Sequence, residues 1–214
     1  MTQLFTKNKK IKDANNKNNV VYNFGIPANE KNCRKCKLGK YCYAKQGAYN
    51  WSQVKNAYQY RYECTQSPQF VDIVVQDLQA KAIRASKQSK QLIIRVHDSG
   101  DYYSTEYALK WMSIASKLPQ VQFYSYTKEV GLFKSLSDSN NIPSNYTIIY
   151  SIGGTEDHLI DLNNDRHARI FKSLTELLDA GYVNAMLNDL IAIGPNNKIG
   201  LVYHGVRKYN KDLK

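Results

Sequence analysis

QLIIRVHDSGDYYSTEYALKWMSIASKLPQVQFYSYT, residues 91–127, is the stretch that decides the fold. Its first six residues, Gln91–Val96, form a short apolar run of strand length that ends in HDSGD. Ser104 then opens a helix whose apolar positions Ala108, Trp111, Met112, Ala115 and Leu118 recur at helical spacing, and Pro119 stops it. Val121–Thr127 is a second strand. A strand, a crossover helix and another strand this close together predict a parallel pair joined by a right-handed connection.

Working outward, the same alternation continues. Upstream, Ser67-Pro68 reads as a helix start, followed by the stripe Phe70, Val74, Leu78 and Ala82 with Val71 and Val75 beside it. Downstream the spacing predicts a short helix around Val130–Leu136 and a strand over Tyr146–Ile152 running into Gly153-Gly154. A helix over Asp165–Ala180 comes next, carrying Ile170, Leu174, Leu177 and Leu178 and capped by Gly181. Two β-like pieces, Tyr182–Met186 and Ile199–Tyr203, close the chain, and a first strand is expected at Val20–Phe24. Residues from Tyr49 to Glu63 read as a polar and aromatic segment. Residues 1–19 read as a flexible basic arm, and 20–214 as a single α/β domain carrying a cysteine loop at 33–42. The architecture expected is a small or incomplete parallel β/α barrel, with an open doubly wound sheet as the alternative.

The chain has 214 residues, a formal net charge of +12 and 43% hydrophobic content. No apolar run approaches the roughly 20 residues needed to cross a bilayer, and no secretory leader is expected in the polar N-terminus. These features point to a cytoplasmic protein without a membrane role, in which clustered cysteines are poor disulfide candidates. The positive charge favours a polyanionic partner, or else simply keeps a Lys- and Asn-rich protein soluble.

Ligands of parallel α/β sheets bind at the carboxyl ends of the strands. Here those ends carry His97, Asp98 and Asp101, then Lys128, then Ser151, Gly153 and Gly154, and finally His204. The HDSGD carboxylates with their histidine suit acid–base work or a cation, but they serve equally as helix caps around a positive-φ Gly100. The Gly pair suits close approach to an anion, or a plain turn.

The other constellation is NCRKCKLGKYCYA, residues 32–44, with Cys33, Cys36 and Cys42 inside ten residues. Such spacing suits a metal clasp, and Arg34, Lys35, Lys37 and Lys40 beside it are expected to lower the thiol pKa values. Zinc needs four ligands, which Cys64 or a histidine would complete; a [4Fe–4S] cluster can use three cysteines or take Cys64 as a fourth.

FGIPA, CYAKQGAY, NAYQYRYE, RVHDSGDYYS, FYSYTK, SIGG and IGLVYHG occur in that order from about Phe24 to His204. Together they resemble a bacteriophage and mobile-element family known as phage gene product 88. A cysteine loop followed by a small β/α sheet is in turn similar to the radical S-adenosylmethionine enzymes. That resemblance implies Cys33, Cys36 and Cys42 as cluster ligands and Gly153-Gly154 near the methionine moiety of S-adenosylmethionine. The gaps between cysteines are two and five here, where that superfamily uses three and two.

Two functions are therefore expected. One is a radical S-adenosylmethionine-like enzyme with His97, Asp98, Asp101, Lys128 and His204 around its substrate. The other is a nucleic-acid-binding or host-protein-binding module with a structural metal centre, Fe–S or Zn. In it Lys7, Lys9, Lys10, Lys12, Lys35 and Lys37 would meet phosphates, in replication or against host defence.

Overall fold

In a computed structural model, residues 3–7, 16, 18–39, 42–186 and 188–203 are described. Strand β1 is Asn19–Phe24, and after the cysteine loop come α1, Ser52–Gln66, and α2, Phe70–Ser86. Then follow β2 (Gln91–Val96), α3 (Thr105–Lys117), β3 (Gln122–Thr127), α4 (Val130–Asp138) and β4 (Tyr146–Ser151). The chain finishes with β5 (His167–Phe171), α5 (Leu174–Asp179), β6 (Val183–Asn184) and β7 (Lys198–Val202). The seven strands form one all-parallel sheet in the order β1-β2-β3-β4-β5-β7-β6, curled into a half-barrel. The first five strands lie side by side in chain order with no switch point, which sets aside the doubly wound alternative.

The alternation along β1, β2 and β3 explains the two layers. Phe24, Leu92, Ile94, Val96 and Phe123 turn outward and pack with α2 and α3. There Phe24, Phe70 and Trp111 meet edge to face, with ring centroids 5.1 to 6.1 Å apart. Val21, Ile93, Tyr124, Ile149, Ala168 and Ile199 turn to the concave side, which Ala185 and Ala192 of the segment before β7 help to fill. Burying an aliphatic or aromatic side chain of this kind contributes about 1.5–3 kcal/mol. Ser104 caps α3 by accepting from the Tyr107 N–H, as its position in the sequence predicts.

Two elements differ from the expectation. The helix expected over Asp165–Ala180 is a strand and a shorter helix. Residues His167–Phe171 pair in register with Lys198–Val202, and α5 starts only after Ser173, whose hydroxyl accepts from the Glu176 N–H at 3.1 Å. The Glu176 carboxylate accepts in return from the Lys172 N–H, so this reciprocal cap fixes where the helix begins. The segment read only as polar and aromatic, with no element assigned, holds α1. It buries Tyr58, Arg61 and Thr65, a stripe at helical spacing in which only one residue is apolar.

Within the stretch expected as a flexible arm, Leu4 and Phe5 are buried, and Thr6 forms an antiparallel bridge with Asn23 on the edge strand β1. Among the described residues, no helix is long and apolar enough to cross a membrane.

Candidate functional site

The carboxyl ends of β1 and β2 are welded together. Ile26 donates its N–H to the Ser99 carbonyl at 3.0 Å, and Asp98 donates to the Phe24 carbonyl at 3.1 Å. Gly25 makes this possible, because a Cβ there would stand 2.2 Å from Asp98 Oδ1. Gly100 adopts the positive φ expected of it, 81°.

From this joint the cysteine loop rises and docks on the far side of the sheet. Cys36 bridges Gly154, Lys37 donates its N–H to the Gly153 carbonyl at 3.0 Å, and Thr155 donates to the Lys35 carbonyl at 2.8 Å. A Cβ on Gly154 would come within 3.0 Å of that Lys35 carbonyl, so the glycine admits the loop backbone. Two ion pairs hold the same segment: Arg34 with Glu129 at 3.0 Å, and Lys35 with Glu156 at 2.8 Å. The docked loop therefore ties the end of β1 to the ends of β3 and β4. Neither glutamate was legible as a partner, since both sit about a hundred residues or more downstream.

All four cysteines are free and half-buried. Burial, then the nearby Asp101, Cys36 and Cys42, push the Cys33 thiol up to about 12. Burial also raises Cys42, with Cys36 among the neighbours acting on it. This corrects the expectation that adjacent cations would favour thiolates: Arg34 and Lys35 face Glu129 and Glu156 instead. Cys33, Cys36 and Cys42 thus share one neighbourhood beside Asp101. Cys64 lies on α1, where its hydrogen-bonding neighbour is Tyr60 one turn back. Among the described residues, no group of three or more His, Cys, Asp or Glu side chains is placed to hold a metal ion. The donor chemistry nevertheless fits a soft metal or a cluster, since cysteine sulfur is the donor type such groups take once its proton is lost.

The strand-end residues fall into distinct roles. His97 takes a positive φ of 64° and turns its ring into the helix layer, 4.5 Å from the Tyr102 ring, sharing a 2.9 Å hydrogen bond with the Tyr107 hydroxyl. Burial lowers its pKa to about 3, so it is neutral near pH 7. Asp98 accepts from the Tyr58 hydroxyl at 3.2 Å and, through its carbonyl, from the Tyr43 hydroxyl. Asp101 accepts from the Tyr102 N–H, the Thr127 hydroxyl and the Lys128 N–H at 2.7 to 2.9 Å, clamping β2 to β3. Burial still raises its pKa against those donors. Lys128 donates through Nζ to the Ser151 hydroxyl at 2.7 Å and to the Ser151 carbonyl at 3.0 Å. The N–H groups of Gly153 and Gly154 donate to Asp157 at 2.9 and 2.8 Å. The backbone donors that the sequence offered to a ligand are engaged within the chain. Asp101, Lys128, Glu129 and the three loop cysteines thus converge at one end of the half-barrel, while His97 faces away from them. His204, Lys9, Lys10 and Lys12 lie outside the described residues. Lys37 is exposed, and Lys7 sits over the Tyr22 ring at 4.4 Å, at the other end of β1.

Below this level the concave face holds a network that sequence reasoning missed. Arg95 donates to both oxygens of Asp189 at 3.2 and 3.1 Å, Tyr124 donates to the same carboxylate, and the guanidinium lies 5.0 Å over the Tyr126 ring. Burial works against the Arg95 charge, but Asp189 and the surrounding tyrosines hold its pKa well above the ordinary value. The one available signal was an arginine inside the apolar run LIIRV, on the concave side of β2.

A protein-family model described as gene product 88 matches residues 2–211, nearly the whole chain. No curated protein and no solved structure matches it.

Proposed function

We propose that this chain, which belongs to the gene product 88 family, holds an iron–sulfur cluster on Cys33, Cys36 and Cys42 and works as a radical S-adenosylmethionine-like enzyme. The observation that carries the reading is the company these thiols keep. Cys36 and Cys42 both act on Cys33, on a loop docked across the carboxyl ends of parallel strands in a half-barrel. Cys64 belongs to α1 and keeps a separate neighbour, which favours three thiolate ligands over four. A cluster held by Cys33, Cys36 and Cys42 would supply a binding site for S-adenosylmethionine and the electron for its reductive cleavage.

The chain's own residues do the rest. Arg34–Glu129 and Lys35–Glu156 hold the Cys33–Cys36 segment against the strand ends before any ligand arrives, which lessens the ordering needed there on binding. Lys128 and Ser151 present a polar pair beside the loop, suited to orient a ligand at the strand ends. His97 is a neutral packing residue in this reading, and the glycine pair serves the loop backbone. Because the Cys33 and Cys42 thiols are raised, they must release protons to become ligands, so loading weakens as pH falls.

The test is spectroscopic. Protein purified without oxygen and reduced should give an electron paramagnetic resonance signal that S-adenosylmethionine perturbs. A signal indifferent to that cofactor removes the enzyme reading and leaves a structural centre. Bound zinc without iron removes the cluster itself.

A further inference from the structure

At the opposite end of β1 from the cysteine loop, a groove of about 410 Å³ opens between the edge strand and the last turn of α2. Lys7, Lys81, Arg84 and Lys90 line it, and Tyr22 contributes the aromatic surface. No acidic side chain is among its described lining residues, although Lys81 also pairs with Asp77. Two of the cations lie over the Tyr22 ring, Lys7 at 4.4 Å and Lys81 at 5.5 Å from its centroid. Arg84 is in the final turn of α2 and complements that helix's C-terminus, but Lys7 and Lys90 are on other segments and have no such role. Four cations from three segments converging on one concavity, in a chain of net charge +12, form a local positive field.

We propose that this groove binds single-stranded nucleic acid, with Lys7, Lys81, Arg84 and Lys90 on the phosphates. The groove is half open and short, a shape that a flexible single strand can follow. Phosphates bound by Lys7 and Lys81 would draw these cations off the Tyr22 ring and leave it to a base, the pairing of cations with an aromatic ring that holds single strands without sequence preference. The proposal stands independently of the cysteine cluster, which lies at the other end of β1.

The experiment uses fluorescence anisotropy of a labelled single-stranded oligonucleotide of about 20 nucleotides with the full chain, from about 50 to 200 mM salt. The expected log–log salt slope is about −3, since single strands contribute about −0.7 per phosphate contacted. Arg84→Glu combined with Lys90→Glu should weaken binding by at least about tenfold and flatten the slope by about 1.4, the share of two contacts. Lys55→Glu with Lys172→Glu changes net charge equally, on exposed residues remote from the groove, and should leave affinity within about twofold. If the groove reversal fails to fold, Arg84→Gln with Lys90→Gln reads the same contrast. Equal losses from the groove and remote pairs, no detectable binding, or tighter binding to phosphatidylserine vesicles than to the oligonucleotide would each overturn the proposal.

Discussion

His97 illustrates how one residue can carry the features of a catalytic group and play a different part. It stands in a motif rich in acid–base chemistry, yet its ring is buried against Tyr102 and Tyr107 and its pKa is lowered to about 3. The unfolded chain takes up a proton there near pH 6.5, so between about 6.5 and 3 the unfolded state binds more protons than the folded one. Stability is therefore lost as pH falls through that window. Removing the imidazole with His97→Asn, a residue that tolerates the positive φ of 64°, should flatten the acid limb of the stability curve. The difference in slope should approach about 1.4 kcal/mol per pH unit. Urea midpoints of both proteins across the window measure it, and parallel curves would show that His97 does not titrate in this way. Asp98 and Asp101, whose pKa values burial raises, act with the opposite sign in both proteins and cancel from the difference.

Among the elements, what could be read from sequence depended on whether the buried face was apolar. β2, α3 and β3 were legible because Ile94, Trp111 and Phe123 mark their helix-packed, buried faces in a recognisable rhythm. α1 was not, since Arg61 and Thr65 are two of its three buried positions. β5 was misread because Ile170, Leu174, Leu177 and Leu178 fall at helical spacing, and the partner that makes His167–Phe171 a strand comes from β7, some thirty residues on. The site divides likewise. Its cysteines and the HDSGD carboxylates stand out locally, but Glu129, Glu156 and Asp189 become partners of Arg34, Lys35 and Arg95 only through the fold. The joint between β1 and β2 also belongs to this scale. Gly25→Ala should destabilise the protein by about 1–3 kcal/mol, because the new methyl must displace Asp98 Oδ1 from 2.2 Å. Chemical denaturation checks it; an unchanged midpoint would mean that the strand ends are looser than the Ile26–Ser99 and Asp98–Phe24 hydrogen bonds imply.

For the whole molecule, the half-barrel separates two surfaces. Thiols, carboxylates and a lysine gather at the carboxyl edge of the sheet, and cations gather at the opposite end of its edge strand. This arrangement follows from parallel strands, which bring all crossover loops of one kind to one edge. The central claim is that three cysteines of one loop, without Cys64, form the metal centre. The most direct test is the iron and sulfide content of protein purified without oxygen, for the wild type and each single Cys→Ser variant. About four irons per chain are expected in the wild type and in Cys64→Ser, with visible colour, and near-complete loss in Cys33→Ser, Cys36→Ser and Cys42→Ser. A colourless wild-type protein without iron, or Cys64→Ser losing iron as fully as the loop variants, would contradict it.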